Sequence, residues 1–592
     1  MVLFQFAKIK RNRLLSGYDP RANQLTPAQS EFLLAHCTRQ PLISIVTPVY
    51  KVDVEWLDHC VRSVVEQHYT TWELILVDDG SDQPELTDSI QSWCEKDPRI
   101  KSVLLDRNRG IAGATNAGFE KASGEFIGIL DHDDELTPDA LVWVVWEHNQ
   151  HPEAKWFYSD EDLITPKGVS HSPFFKPDYS PEQLLSRMFI CHFRVYAADV
   201  LRQIGGKRTG FDGAQDHDLA LRYAEAIRRD QIVHIQRVLY HWRTIATSAA
   251  THLKAKPKAA AAGERAVTEA LQRRGISGSV TSHLLSPTLY RIELKSDDCP
   301  KAAVIISLRN GDASFKRCLQ SIKAYTSYPN VEILIVHDGD KHNACVQSEC
   351  SIPLRTITVE RSVPHAGKLN AAAKAANADV LVFVDDAVEI VTLGWLDQLV
   401  ATVQMDSSIA AAGGMLMTPA HKILHAGIVL GVGNGVGLAC RNLDARLPGD
   451  NCRTLALQEY SALSGALLCV RRTAFAALDG FNKDTYPDTF SDIDLCLRLK
   501  AQGFRSVYNP LIQAIYRSGN LNESTQACSA LDRLRQDHPK VFTHDPFFNP
   551  NLSLDNEWFL GYRNFPVEDQ LPELKAAGLS EGDSDLNVKN KK

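Results

Sequence analysis

The sequence predicts an α/β protein made of two tandem copies of one domain with a mostly parallel sheet, and three observations support this prediction. Short apolar runs alternate with amphipathic helical segments, a rhythm typical of βαβ units. Three successive apolar runs in the first half end in polar or acidic clusters. The same motifs recur in the same order, displaced by about 254 to 276 residues, which indicates duplication of a whole domain.

The elements of the first copy follow from the spacing of its apolar residues. A buried strand is predicted over residues 42–46, and Pro48 is expected to end it because proline lacks a backbone N–H. Residues 57–67 have the apolar spacing of a helix. Two further strands are predicted at residues 73–77 and 103–105, and an Ala- and Gly-rich helix follows at residues 111–123.

The next apolar run, residues 127–130, leads into four carboxylates: Asp131, Asp133, Asp134 and Glu135. Crowded carboxylates repel one another, so some must be protonated, face water or share a cation. Ligands of open α/β sheets bind beyond the carboxyl ends of the strands, which favours a divalent metal that holds a phosphorylated ligand. A solvated acidic turn before the following helix is the alternative.

The rest of the first copy contributes two more chemical groups. Asp216, Asp218 and Arg222 lie at the start of a predicted helix, and a strand-like run over residues 238–243 carries His241. The predicted organisation is a helical leader (residues 1–40), a first domain (41–295), a second domain (296–530) and a partly disordered C-terminal extension (531–592).

Composition narrows the class of function. A formal net charge of −8 over 592 residues argues against nucleic acid as a partner. The 13 cysteines show no zinc-finger spacing and suit a reducing compartment. No apolar run approaches the roughly 18 residues that span a bilayer. Residues 1–15 mix apolar and basic side chains, which predicts either a packed leader helix or binding to an anionic membrane surface. The expected location is the cytoplasm, with peripheral binding at the inner membrane face as the variant.

Five motifs of the first copy together resemble the inverting glycosyltransferases of family 2, which have the Rossmann-like GT-A fold. They are Thr47-Pro48-Val49-Tyr50, Val77-Asp78-Asp79-Gly80-Ser81, Asn108-Arg109-Gly110 with Asn116, Leu130-Asp131-His132-Asp133-Asp134, and Gln215-Asp216-His217-Asp218. The resemblance spans residues 41–295 and, more weakly, 300–530. The tandem arrangement is similar to bacterial two-domain enzymes that build surface polysaccharide such as O-antigen or rhamnose-rich chains.

The resemblance implies a role for each motif. It implies donor binding by Pro48, Tyr50, Asp79, Arg109, Gly110, Asn116 and Asp131. It implies that Asp133 and His241 hold Mg²⁺ or Mn²⁺, and that Asp216 is the general base, with Asp218 as the alternative. Asp218 can instead cap its helix or pair with Arg222. The implied donor is dTDP-rhamnose or a UDP-sugar. The implied acceptor is a lipid-linked or growing glycan beside an export system.

The second copy departs from the pattern. Asp338, Asp385, Asp386, Asp492 and Asp494 persist, whereas Ala387 stands in the place of Asp133. Tyr516 is aligned with His241, and Ser307-Leu308 with Thr47-Pro48. We therefore expect one catalytic domain followed by a degenerate copy.

Three other interpretations remain open at this stage. A bifunctional polymerase would use both copies, the second without a metal. A nucleotidyltransferase would share the α/β sheet, but it should carry a Gly-rich basic phosphate loop, which residues 47–51 are not. A non-catalytic glycan-binding scaffold would need neither site.

Overall fold

The computed structural model describes residues 18–22, 24–245, 256–339, 352–433, 435–518, 526–564, 567 and 571–579. The predictions for residues 1–15 and for a polar tail at 582–592 lie outside these residues. Within the predicted leader, a helix begins at Pro27 with Thr26 as its N-cap, and the side chains of Thr26 and Gln29 each accept the other's backbone N–H. In the described part of the chain, no helix combines the length and apolar character that crossing a bilayer requires.

The first copy is built on a nine-stranded sheet whose order is β3-β2-β1-β4-β8-β6-β9-β5, with β7 beside β6. Strands β3, β2, β1 and β4 are mutually parallel, as are β6 and β9. Antiparallel β8 joins these two groups. The strands are β1 (Ile43–Val49), β2 (Trp72–Asp78), β3 (Ile100–Leu104), β4 (Phe126–Ile129), β5 (Glu135–Leu136), β6 (Trp156–Ile164), β7 (Ser170–Phe174), β8 (Arg194–Ala197) and β9 (Ile232–Arg243).

Helices cover this sheet and connect its strands. They are α1 (Pro27–Ala35), α2 (Val54–Val65), α3 (Pro84–Lys96), α4 (Gly110–Lys121), α5 (Ala140–Gln150), α6 (Pro181–Ser186), α7 (Ala198–Gln203), α8 (Gln215–Ala226) and α9 (Lys256–Arg273). A hairpin of β10 (Gly278–His283) and β11 (Ser286–Leu294) follows. The mixed α/β prediction is confirmed.

Strand β1 is longer than the sequence predicts, because it continues through Pro48 to Val49. Strand β4 pairs with β1 only as far as Val46. Beyond that residue only β2 pairs with β1, so the missing N–H of Pro48 does not interrupt a ladder with β4.

The second copy repeats the architecture in a ten-stranded sheet with the order β14-β13-β12-β15-β22-β17-β23-β16, with β18 beside β17 and β21 beside β23. Strands β19 and β20 form a separate hairpin. The strands are β12 (Ala302–Ser307), β13 (Val331–His337), β14 (Leu354–Thr358), β15 (Val380–Asp385), β16 (Val388–Ile390), β17 (Ile409–Met417), β18 (Ile423–His425), β19 (Ile428–Leu430), β20 (Val436–Leu438), β21 (Gln458–Tyr460), β22 (Leu467–Arg471) and β23 (Arg505–Tyr516).

The helices of the second copy and of the C-terminal segment complete the described elements. They are α10 (Asp312–Tyr325), α11 (His365–Ala375), α12 (Trp395–Gln404), α13 (Arg472–Ala477), α14 (Ser491–Ala501), α15 (Gln526–Asp537), α16 (Pro539–Thr543) and α17 (Pro572–Ala576). The matching strand orders support the duplication that the sequence indicates.

Strand register corrects two of the predicted correspondences by one residue each. Glu389 pairs with Ile515 just as Glu135 pairs with His241, so Ile515 and not Tyr516 takes the place of His241. Likewise Ser307 pairs with Val336 as Pro48 pairs with Val77, so Ser307 takes the place of Pro48. Both strands are apolar for most of their length, so an alignment shifted by one residue still matches apolar residues with one another. The hydrogen bonds between strands, in contrast, fix the register.

The two halves are joined through a buried interface. Helix α6 of the first half lies against β21 of the second, where the Ser186 hydroxyl accepts the backbone N–H of Leu457 at 2.9 Å and the Ser180 hydroxyl accepts that of Glu459 at 3.1 Å. The C-terminal segment crosses the same junction. Its Asn549 amide donates to the Asp160 carboxylate of the first half at 2.8 Å.

The most buried charges of this interface form one network. Arg505 donates to both carboxylate oxygens of Glu182 at 2.6 and 2.7 Å, and these side chains are 7% and 2% exposed. Glu459 lies 3.7 Å from the same guanidinium and 2.7 Å from Arg229. Burial raises the pKa of Glu459, which Arg229 and Arg505 oppose.

Replacement of Arg505 by methionine should therefore destabilise the whole chain. The change leaves Glu182 buried without its cation and Glu459 with Arg229 as its remaining partner, which costs about 3 to 5 kcal/mol in free energy of unfolding. Chemical denaturation measures this loss. The control is Arg517→Met, which breaks the more exposed pair with Glu389 and should cost about 1 kcal/mol or less. Equal losses in the two variants would contradict the assigned role.

Candidate active site

Three strand ends of the first half meet at one edge of the sheet. Because β2, β1 and β4 are adjacent and parallel, the residues that follow them, Asp79, Tyr50 and Asp131, lie side by side. Tyr50 is 40% exposed at this edge, whereas Pro48 is buried and its carbonyl oxygen lies 2.9 Å from His132 Nδ1. The structure thus brings together the strand ends that the sequence selects.

Asp79 organises the loops at this edge. Its carboxylate is buried and accepts the backbone N–H of Arg109 at 2.6 Å, and burial raises its pKa. Gly80 has φ 66°, and a Cβ there would lie 2.7 Å from the carbonyl carbon of Arg107, so only glycine fits between the two loops. Gly110, also at positive φ, begins α4. The Arg109 side chain points outward to Asp106 at 3.2 Å.

The four carboxylates after β4 differ in their surroundings. Asp134 is fully buried, accepts the Tyr240 hydroxyl at 2.5 Å and the Arg243 backbone N–H at 2.8 Å, and burial raises its pKa well above the usual value. Glu135 pairs with the Arg243 guanidinium. Burial also raises the pKa of Asp133, and the charge of Asp131 adds to this. Asp131 and Asp133 are therefore the two carboxylates left without such partners on this strand end, and a cation bound between them would relieve their mutual repulsion.

Asp216, at the start of α8, lies between two buried cations. Its Oδ1 is 3.0 Å from the Lys207 ammonium and 3.2 Å from the Arg194 guanidinium, and both cations are 3% exposed or less. Burial would raise the pKa of Asp216, but Arg194 and Lys207 outweigh it and hold that pKa well below the usual range. The side chain itself is 29% exposed although Oδ1 is buried, so the ionised carboxylate is partly accessible.

His192 connects the acidic strand end to the interior. Its Nε2 is 3.7 Å from Asp131 and its Nδ1 is 3.3 Å from Glu161, while the ring stacks on Tyr240 with centroids 4.5 Å apart. Lys176, which is completely buried, donates to the carbonyls of Ser159, Ile190 and His192. Lys176 thereby fixes the loop that presents His192.

Two predicted site residues are committed to structural bonds. Asp218 is fully buried and paired with Arg222 at 2.9 Å and with Arg208. The Asn116 amide donates to the Lys207 carbonyl at 2.7 Å and its oxygen accepts the Lys207 N–H at 2.8 Å. Asn116 therefore holds the residue that contacts Asp216.

His241 is bound to a carboxylate of its own. Its Nδ1 lies 2.5 Å from Asp162 Oδ1, which leaves Nε2 for any further contact. Among the described residues, no group of three or more His, Cys, Asp or Glu side chains is close enough to hold a metal alone. Asp131 and Asp133 nevertheless supply the oxygen donors that Mg²⁺ and Mn²⁺ prefer, and such ions complete their shells with phosphate and water.

Sequence reasoning did not find His192, Arg194, Lys207 or Lys176. Comparison of the two halves indicates two of them. Strand register aligns Arg194 with Leu468, and loop position aligns Lys207 with Phe481 of the second half. A charged residue inside an apolar strand of one copy, replaced by leucine in the other, indicates a site that only one copy retains.

The equivalent edge of the second half has different chemistry. Asp492, at the start of α14, is half-buried and accepts the backbone N–H of Gly465 at 2.6 Å and of Ile493 at 2.9 Å. Within the described part of the chain, no cationic side chain forms an ion pair with it. Ala387 is buried in the place of Asp133. Burial raises the pKa of Asp385 to about 6, with Asp386 adding to the effect.

The other acidic residues of this edge are bound to protein groups. Asp338, in the place of Asp79, is 2.5 Å from the Lys368 ammonium. Asp386 accepts the backbone N–H groups of Arg309 and Asn310 at 2.8 and 2.9 Å. Asp494 pairs with Arg498 at 2.7 Å, as Asp218 pairs with Arg222.

Comparison with protein families gives two adjacent matches. The model described as Glycosyl transferase family 2 matches residues 44–205, and the model described as Glycosyltransferase like family 2 matches residues 300–535. The two matches fall on the first and second sheet, respectively.

Curated relatives agree with these matches. The colanic acid biosynthesis glycosyl transferase WcaA of Escherichia coli is 32% identical over 33% of this chain and 73% of its own length. The O-antigen biosynthesis protein RfbC of Myxococcus xanthus is 33% identical over 94% of this chain. The protein y4gI of Sinorhizobium fredii is 34% identical over 92% of this chain. This chain spans 43% of the length of RfbC and 61% of the length of y4gI. Among solved structures, TarS of Staphylococcus aureus with UDP-GlcNAc covers 39% of this chain and 66% of its own, at 16% identity and a TM-score of 0.33.

The raised pKa of Asp385 predicts a pH-dependent effect of Asp385→Asn. At about pH 4 the carboxyl is protonated in the folded chain and about half ionised in the unfolded chain, so burial costs little. Above about pH 6 the folded protein bears an ionised carboxylate that burial disfavours. The asparagine variant should gain roughly 1 to 3 kcal/mol in free energy of unfolding at about pH 7 relative to its difference at about pH 4.

Urea denaturation at the two pH values measures this gain. Glu389→Gln, at a more exposed carboxylate, is the control and should show no such difference between them. An Asp385→Asn effect that is the same at both pH values would contradict the prediction.

Proposed function

Because this chain belongs to glycosyltransferase family 2, we propose that its first half transfers a sugar, with inversion, from a nucleoside-diphosphate donor to a growing surface polysaccharide. The observation that carries the proposal is the ionised Asp216 held by Lys207 and Arg194 beside the strand ends that bear Asp79 and Asp131. We retain residues 41–295 as the proposed catalytic domain and residues 296–530 as the proposed second domain.

The donor would bind at the carboxyl ends of β1, β2 and β4. The exposed Tyr50 ring and the Asp79 carboxylate suit the face and the imide N–H of a pyrimidine base. Gly110 and the N-terminus of α4 offer backbone N–H groups, and Arg109 a side-chain cation, to the donor's phosphates. Asp131 would lie by the ribose.

Asp216 is the proposed general base. The acceptor hydroxyl attacks the anomeric carbon from the face opposite the diphosphate: the new C–O bond forms, the bond from the anomeric carbon to the diphosphate oxygen breaks, and the hydroxyl proton passes to the Asp216 carboxylate. A single displacement inverts the anomeric centre. Lys207 and Arg194 keep Asp216 ionised and aimed, and Asn116 positions Lys207.

Asp133 would hold a divalent cation, with Asp131 beside it and His241 as a further contact. Such an ion would neutralise charge on the departing nucleoside diphosphate. Tyr240, Arg243 and Asp134 keep this strand end rigid, because Asp134 is fully hydrogen-bonded within the protein.

The second half would not transfer sugar. It has Ala387 for Asp133, Ile515 for His241, Leu468 for Arg194 and Phe481 for Lys207. Its residual Asp492 lacks the cations that keep Asp216 ionised. The bifunctional interpretation predicts that a second linkage disappears when Asp492 is replaced.

The relative RfbC is named as an O-antigen biosynthesis protein, and WcaA is named as a colanic acid biosynthesis glycosyl transferase. We extend this to an acceptor that is a lipid-linked or growing glycan, with dTDP-rhamnose or a UDP-sugar as donor. The proposed location is the inner face of the cytoplasmic membrane, beside export machinery.

Asp133→Asn tests the proposed metal residue. The variant should lose the Mn²⁺-dependent part of the thermal stabilisation that UDP or dTDP gives to the full chain, because a neutral amide is a weak ligand for a hard cation. Transfer from radiolabelled nucleotide sugars to lipid-linked acceptor should fall by about a hundredfold or more.

Glu389→Gln, in the second half, is the control and should retain both properties. Full turnover by Asp133→Asn would refute the assignment. A wild-type chain that binds no nucleoside diphosphate would favour a glycan-binding scaffold.

Lys207→Met tests the environment of Asp216. Loss of the ammonium raises the pKa of that carboxylate, so the acidic limb of the kcat/KM profile should move to higher pH by roughly one unit. The matched control is Lys368→Met, which removes a similarly placed cation from Asp338 of the second half and should leave the limb in place. An unmoved limb in Lys207→Met, with reduced kcat alone, would show that Asp216 is not the titrating base.

A further inference from the structure

The second half encloses a cavity of about 380 Å³ at the edge that corresponds to the donor site of the first. Its walls come from the ends of β12 and β15, from α11 and from the start of α14. This volume lies within the range of small-ligand pockets, roughly 300 to 1,000 Å³.

The lining of this cavity combines hydrogen-bonding groups with aromatic rings. The polar side chains include Ser307, Asn310, Ser464, Asp385, Asp488 and Asp492, together with Arg309 and His365. Phe481, Phe490 and Tyr516 contribute rings. Carboxylates accept hydrogen bonds from sugar hydroxyls, and amides both accept from and donate to them. Aromatic ring faces can pack on the apolar C–H faces of a pyranose.

The lining of this cavity and the residues around it disfavour a nucleoside diphosphate. Phe481 and Leu468 replace the two cations of the first site, and Ala387 replaces the proposed metal carboxylate. Lys368 is bound to Asp338, the counterpart of Asp79, which is proposed to bind the pyrimidine ring of the donor in the first half. Three carboxylates face the cavity against Arg309 and His365, so a diphosphate would meet like charge.

His365 does not change this balance. Burial, with Arg309 and Lys368 nearby, lowers its pKa to about 3, so the ring is neutral near pH 7. Its Nδ1 lies 3.3 Å from the Ser307 hydroxyl. An uncharged, hydroxyl-rich ligand is therefore the class that this cavity fits.

We propose that the second-half cavity is a binding site for a neutral pyranose residue of the polysaccharide, and that duplication has converted a donor site into a glycan-holding site. The proposal goes beyond the transfer reaction and does not depend on it. Binding at this cavity is expected even in a chain whose first site is inactive.

The test measures binding of neutral sugars to the full chain by saturation-transfer difference NMR. The probes are the methyl glycosides, in both anomers, of neutral hexoses, 6-deoxyhexoses and N-acetylhexosamines. At least one should bind, and Asp385→Asn and Asn310→Ala should each weaken it about tenfold. The first variant replaces a carboxylate oxygen acceptor with an amide N–H donor, and the second removes an amide from the cavity. Asp385→Asn is the variant expected to gain stability, so lost binding would not reflect unfolding.

Asp131→Asn is the matched control, since Asp131 occupies the equivalent position of the first half. It should leave the sugar signal unchanged and reduce the thermal stabilisation by UDP or dTDP, whereas Asp385→Asn should do the opposite. The proposal fails if no probe binds, if Asp131→Asn removes the sugar signal while Asp385→Asn retains it, or if Asp385→Asn weakens binding of the nucleoside diphosphate.

Discussion

The parallel alignment of β2, β1 and β4 is the constraint on which the site depends. Parallel strands end at the same edge, so residues more than fifty positions apart, such as Tyr50 and Asp131, become neighbours without any contact of their own. The loops that follow are then fixed by short bonds: Asp79 holds Arg109, and Asp134 holds Tyr240 and Arg243. The carboxylates that remain, Asp131 and Asp133, are half-buried at the end of β4.

Much of this frame could be predicted from the sequence. Apolar runs that end in polar clusters gave the parallel strands, and repeated motifs indicated the second sheet. Residues whose role comes from contacts distant in sequence could not be predicted in this way. Lys207 matters because Asn116, 91 positions away, holds its backbone by hydrogen bonds. Lys176 matters because it donates to a carbonyl of β6 and to carbonyls of the loop before β8. Neither lies in a motif of its own.

The one-residue slips at Ser307 and Ile515 have the same origin. Pattern comparison aligns apolar strands by composition, whereas the register of a strand is set by its hydrogen bonds to neighbours. The Glu135–Arg243 and Glu389–Arg517 pairs occur at equivalent positions, so these ion pairs independently support the corrected alignment. The correction strengthens the contrast between the halves, because isoleucine at the place of His241 offers no ligand atom.

The interface between the halves would keep the two proposed sites at a fixed separation, so that both could bind one polysaccharide chain. Arg505, Glu182 and Glu459 are buried between the halves, and Asn549 ties the C-terminal segment to Asp160. Buried charges that are mutually satisfied resist sliding, because any displacement exposes an unpaired ion to an apolar environment. A polysaccharide held at the second-half cavity would therefore stay at a fixed distance and orientation from Asp216. In that arrangement the proposed glycan-binding cavity would need no metal, because it would not have to stabilise a leaving diphosphate.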